Sequence, residues 1–66
     1  MNKENLKVGM VVTYVPRHAR GNENHKDREL GKVKSWNDRF VFVDYGDGRG
    51  KATSLEDLRE GNLLCQ

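Results

Sequence analysis

Between Pro16 and Glu29 the chain reads PRHARGNENHKDRE, a stretch whose only small aliphatic side chain is that of Ala19. So long a polar run inside 66 residues cannot supply a core face, and residues 16–29 are expected to form one solvated excursion. Every apolar contact must then come from the short segments on either side. A loop of this length in so compact a domain is more often functional than a neutral connector. The length supports a single domain, with a core over about residues 8–64. At 35% hydrophobic and 33% charged, the chain is too apolar for a disordered segment and too polar to enclose a deep, dry catalytic pocket.

The flanking segments read as strands. MVVTYV, residues 10–15, is rich in β-branched and aromatic residues and is bracketed by Gly9 and Pro16. LGKVKSW, residues 30–36, alternates Gly31, Val33 and Ser35 with Leu30, Lys32, Lys34 and Trp36, the period of a half-buried strand. Asn37-Asp38 supplies a two-residue turn, and RFVFVDY returns from it as a hairpin partner. In that partner Val41 and Val43 share one face and Phe40 and Phe42 the other, so both faces are expected to be covered. Gly46, Gly48 and Gly50 mark a tight connection to a short strand over residues 51–53. Thr53 is then the expected N-cap of a helical turn, with Glu56 in the capping-box position and Leu55 and Leu58 facing inward. Gly61 stops the turn, and residues 62–64 are read as the closing strand. This order predicts an all-β fold, a small five-stranded barrel with one helical turn before the last strand, in which closure removes the sheet edges.

Charge excludes more than it assigns. Twelve Lys and Arg against ten Asp and Glu leave a net +2, short of the basic balance of a non-specific duplex binder. Residues 1–36 hold eight basic and four acidic groups, residues 37–66 four and six, so the chain is positive at its front. The single cysteine, Cys65, permits neither an intrachain disulfide nor a cysteine zinc cluster, and is read as an incidental terminal thiol in a reducing compartment. No apolar run approaches the length of a signal peptide or a membrane span, so a cytoplasmic protein without a membrane partner is expected.

The segments VGMVVTYVPRHA, ELGKVKSWNDRFVFVDYG and ATSLEDL carry a resemblance. The order of a long first loop, a tight central hairpin and a helical turn before the last strand resembles the SH3-like barrels, including the Tudor and KOW types. More narrowly, the three segments are similar to small accessory proteins encoded by bacteriophages and prophages. In those proteins Cys often follows Asp before the hairpin, where this chain has Arg28, so thiol chemistry at that position does not transfer. The resemblance implies an SH3-like barrel acting on a host or phage protein, with inhibition of a host process or defence system as the expected effect. A Tudor-type aromatic cage would draw on Tyr14, Trp36, Phe42 and Tyr45.

The candidate contact surface is Arg17, His18, Arg20, Lys26 and Arg28 of the loop, with Lys32, Lys34 and Trp36 of the hairpin face. Arg pairs carboxylate or phosphate in two places at once, and Arg and Trp are enriched among the residues that dominate binding energy. A protein partner is expected first. A nucleic acid, stacking on Trp36 with its phosphates on Lys32 and Lys34, is the alternative, and capture of a small anionic nucleotide the third. His18 and His25 are read as hydrogen-bonding histidines, with Asp27 orienting one ring, because a structural zinc needs four ligands. No catalytic motif, cofactor or metal is expected; Asp44 and Asp47 lack the burial that would split an acid pair. A monomer or a homodimer formed edge to edge is consistent with the pattern.

Overall fold

The computed structural model describes residues 1–64, so Cys65 lies outside the described residues. Five strands, β1 (Val11–Tyr14), β2 (Glu29–Trp36), β3 (Val41–Asp44), β4 (Gly50–Thr53) and β5 (Leu58–Glu60), form one antiparallel sheet in the order β4-β3-β2-β1-β5. Among the described residues, helical structure is limited to single 3-10 turns at Lys3–Asn5, Arg17–Ala19 and Leu55–Asp57. The all-β expectation therefore holds. Closure does not: β4 and β5 are the two ends of an open sheet among the described residues.

One face of the sheet carries the core. Val12, Val33, Val41, Val43 and Leu58 are buried together with Leu6, which the N-terminal segment brings in from outside the sheet. Met10, Tyr14, Tyr45 and Leu55 pack around them. Four of the six buried side chains are valines, β-branched and stiff, so little rotamer entropy is lost when a small core holds them. Phe42, on the other face of β3, is only half-buried, and Phe40 is exposed. The expectation that both faces of β3 are covered is corrected, because the outer face has no second layer of strands to meet.

Three local readings are also corrected. The hairpin turn runs from Asn37 to Phe40 rather than over two residues: the Asn37 amide donates to the Phe40 carbonyl at 3.0 Å, and Asn37 Oδ1 accepts from the amides of Arg39 and Phe40. The last strand is Leu58–Glu60, not residues 62–64. Gly61, at φ +86°, turns the chain after its amide donates to Val11, a conformation that costs a residue without Cβ little. The C-terminal segment then crosses β1, where the Leu63 amide donates to Thr13 Oγ1 and that hydroxyl donates to the Gly61 carbonyl. Thr53 caps nothing. It ends β4 as a buried residue hydrogen-bonded to Tyr45, and Ser54 occupies the cap position without a side-chain bond.

Candidate functional site

The 16–29 loop is a folded segment with an exposed surface rather than a free excursion. Amides of Ala19, Asn22, His25 and Arg28 each donate to the carbonyl three residues earlier, so four turns follow one another from Pro16 to Arg28. Pro16 and Ala19 are buried and His25 and Arg28 half-buried, which corrects the expectation that the stretch has no share in the interior. Turn-forming Pro, Gly and Asn make such a spiral possible without an apolar face. Arg20, the one non-glycine described residue at positive φ (+52°), closes the first turn.

Side chains then tie this spiral to the sheet. Arg28 donates to the carbonyls of Asn24, His25 and Leu63, which joins the loop to itself and to the C-terminal segment. Arg17 reaches Glu56 at 2.8 Å and Asp57 at 3.4 Å, and Arg59 reaches Glu23 at 2.8 Å. Of the arginines expected to face a partner, Arg17 and Arg28 are thus engaged within the chain. Arg20, Lys26 and Lys32 have no side-chain partner among the described residues, and Lys34 donates to the Gly48 carbonyl. Asp44 and Asp47 serve the glycine turn: Asp44 Oδ1 accepts from the amides of Gly46 and Gly48, and Asp47 accepts from Arg49. The Gly46 amide, then that of Gly48, holds the Asp44 carboxyl below the usual carboxylate range.

The proposed face of Lys32, Lys34 and Trp36 is divided by a β-bulge. Val33 stands opposite Val43 but Ser35 opposite Phe42, so Lys34 is the extra residue and the sides exchange beyond it. Lys32, opposite Asp44, lies on the outer face, whereas Trp36, opposite Val41, lies on the core side at its margin. A strictly alternating sequence gives no sign of the inserted residue.

The structure instead places a groove of about 520 Å³ between the Arg17–His18 turn and β4. Tyr14, Tyr45 and Phe40 supply its rings, Arg17, His18 and Lys51 its basic groups, and Glu29 and Asp57 its carboxylates. Tyr14 and Tyr45 meet edge to face with centroids 6.2 Å apart, and the Tyr45 hydroxyl lies 2.9 Å from that of Thr53. Burial raises the Tyr45 phenol above its ordinary value. Of the four rings considered for a cage, Tyr14 and Tyr45 converge, while Trp36 and Phe42 do not line this groove. Phe40, Glu29, Lys51 and Asp57 were not among the expected contact residues, because they come from four separate segments that only the sheet register assembles.

At the loop, His18 Nε2 lies 2.9 Å from Asp27 Oδ2, so Asp27 orients a ring as expected. This hydrogen bond is the main reason the Asp27 carboxyl sits below its usual range. His25 packs edge-on against His18 at 5.0 Å between centroids, and its Nδ1 accepts the Asp27 amide at 3.0 Å. Comparison with protein-family models, with curated proteins and with solved structures found no match to this chain.

Proposed function

We propose that this protein is a non-catalytic binding module that takes an extended segment of a partner protein into the groove between the Arg17–His18 turn and β4. The observation that carries this reading is the meeting of two features along one wall: aromatic rings line the groove, and β4, which also lines it, has a partner strand on one side only. An edge strand offers unpaired amides and carbonyls that another polypeptide can extend, and neighbouring rings give that segment apolar contact. The mixed charge around the groove also suits a polypeptide. A polyanion would meet the carboxylates of Glu29 and Asp57, and Arg17 is already paired.

In this reading Arg17 and Arg28 shape the loop, while Arg20, Lys26 and Lys32 are the cations left to steer an acidic surface. An antiparallel meander over β1–β4, a long first loop, a 3-10 turn directly before β5 and the return of β5 to β1 support an SH3-like architecture. With the phage-type resemblance, this makes a host or phage protein the partner of choice and inhibition by masking its surface the expected mode of action.

Selection of random displayed peptides against the protein tests the proposal. Enriched peptides are expected to shift the amide resonances of Tyr14, Tyr45, Lys51 and Thr53, and to lose more than about tenfold in affinity on Phe40→Ala. Phe40 is 40% exposed, so its truncation should leave the fold intact. Peptides that bind elsewhere, or whose binding ignores Phe40, defeat the reading. Oligonucleotide binding that weakens steeply with salt would favour the nucleic-acid alternative, and a melting temperature raised by a nucleotide alone would favour small-anion capture.

A further inference from the structure

We propose that His18, His25 and Asp27 form a binding site for a divalent transition-metal cation of the zinc type, held by two imidazole nitrogens and one carboxylate oxygen with its remaining positions open to water. One donor atom from each residue lies within 4.8 Å of the others. Zinc bonds to nitrogen and oxygen of about 2.0–2.2 Å put two ligands of a tetrahedral ion about 3.3–3.6 Å apart. The separations present fall on either side of that value: 2.9 Å from His18 Nε2 to Asp27 Oδ2, and 3.9 Å from His25 Nδ1 to the same oxygen. With all donor atoms within 4.8 Å of one another, side-chain rotations that close the widest separation by up to about 1.5 Å convert the cluster into a coordination shell.

The backbone already holds the ligands in place. His25 and Arg28 stand at successive turns of the loop, and Arg28 fixes the carbonyls of Asn24 and His25 on either side of the ring's attachment. The ion would take the place of the hydrogen between His18 Nε2 and Asp27; a neutral ring then carries its proton on Nδ1 instead, and a charged ring keeps the Nδ1 proton and releases the Nε2 proton to solvent. Coordination through His25 Nδ1 also gives up the bond this nitrogen accepts from the Asp27 amide; that bond lies at the surface, where water can replace it. Two imidazoles and a carboxylate favour zinc, cobalt or nickel over calcium or magnesium, which prefer all-oxygen shells. Three protein ligands suffice for an open site, whereas the sequence expectation weighed only the closed four-ligand kind. His18 also lines the groove, so the ion's open positions adjoin it. The site stands on its own geometry whether or not the groove takes a peptide.

Titration of the full chain with Zn²⁺ by calorimetry, and with Co²⁺ by visible absorption, tests the proposal near neutral pH. The expected result is one ion per chain, shifts of the ring resonances of both histidines, and an affinity lowered more than about tenfold by His18→Ala and by Asp27→Asn. His18 is largely exposed, so His18→Ala tests the site even if His25→Ala perturbs the loop. Cys65→Ser is expected to bind as wild type does. No saturable uptake, uptake unchanged in the His18→Ala/His25→Ala variant, or uptake abolished by Cys65→Ser alone overturns the assignment.

Discussion

At Gly31 the packing leaves no room for a methyl group. A Cβ there would stand 2.5 Å from Val43 Cγ1, 2.9 Å from the Asp44 carbonyl oxygen and 2.9 Å from Tyr45 Cδ1. Val43 is β-branched and fully buried, and the Asp44 backbone, paired in the sheet, cannot yield without disturbing β3. Gly31→Ala is therefore expected to destabilise the protein by about 1–3 kcal/mol. Thermal unfolding should show it as a fall of about 4–8 °C for each kcal/mol. An unchanged melting temperature would mean the sheet relaxes around the methyl. Tyr45, on the same side of the sheet, links packing to pH. Burial raises its folded-state value above that of the unfolded chain, so its contribution is fully present below the unfolded value near ~10 and is lost as pH rises through the folded value. Wild type is expected to lose stability on the alkaline side, and Tyr45→Phe to flatten that slope while losing the Thr53 hydrogen bond. Parallel alkaline melting curves for the two proteins would contradict this. The carboxyls of Asp27 and Asp44 act in the opposite sense. Their lowered values contribute stability above the unfolded carboxylate range that disappears as acid protonates them.

The 16–29 loop shows how an element can be ordered without a hydrophobic face. Its successive turns satisfy backbone groups one after another, and the Arg28 guanidinium adds bonds to the carbonyls of Asn24, His25 and Leu63. Arg28→Ala is expected to speed amide hydrogen exchange at His25 and Arg28 and to cost about 1–2 kcal/mol overall. Exchange rates that stay constant across residues 22–28 would show that the turns hold without the guanidinium. The loop's length and polarity were legible in the sequence because they follow from composition along the chain. Its spiral was not, since i to i+3 bonds of this kind carry no apolar period. The bulge at Lys34 escaped for a related reason: side-chain alternation continues through LGKVKSW, and only pairing with β3 reveals that Val33 and Ser35 oppose adjacent residues, Val43 and Phe42.

For the molecule as a whole, the front-to-back charge asymmetry finds an internal use. Every ion pair made by Lys or Arg among the described residues, Lys3 with Asp38, Arg17 with Glu56 and Asp57, and Arg59 with Glu23, joins the basic first half to the second or the reverse. Apart from Asp57 and Arg59, whose side chains are 15% and 28% exposed, the paired groups lie at the surface, and the pairs contribute about 0–1 kcal/mol each. Raising ionic strength from ~0.01 M to ~1 M, which shortens the screening length from about 30 Å to 3 Å, is expected to lower the melting temperature by no more than about 16 °C, taking the four contacts at ~0.5 kcal/mol each. A larger fall, read by calorimetry, would assign the fold's stability to charge rather than to the valine core. The open ends of the sheet matter at the same scale. They leave β4 available beside the groove, and they allow the edge-to-edge dimer that the chain's pattern also permits.

Periodicity and turn chemistry are local properties, so the sequence by itself determined that the chain is all-β, that Val41 and Val43 share one face of their strand, and that Gly46 and Gly48 sit in a turn. Tertiary structure decided what depends on register and on chain reversal. It split Lys32 from Trp36, moved the last strand to Leu58–Glu60, and left the sheet open. It also brought Tyr14, Phe40 and Tyr45 to one groove, and His18 to Asp27 across nine residues of loop. Such meetings depend on strand pairing and on hydrogen bonds between distant segments, which no window along the chain contains.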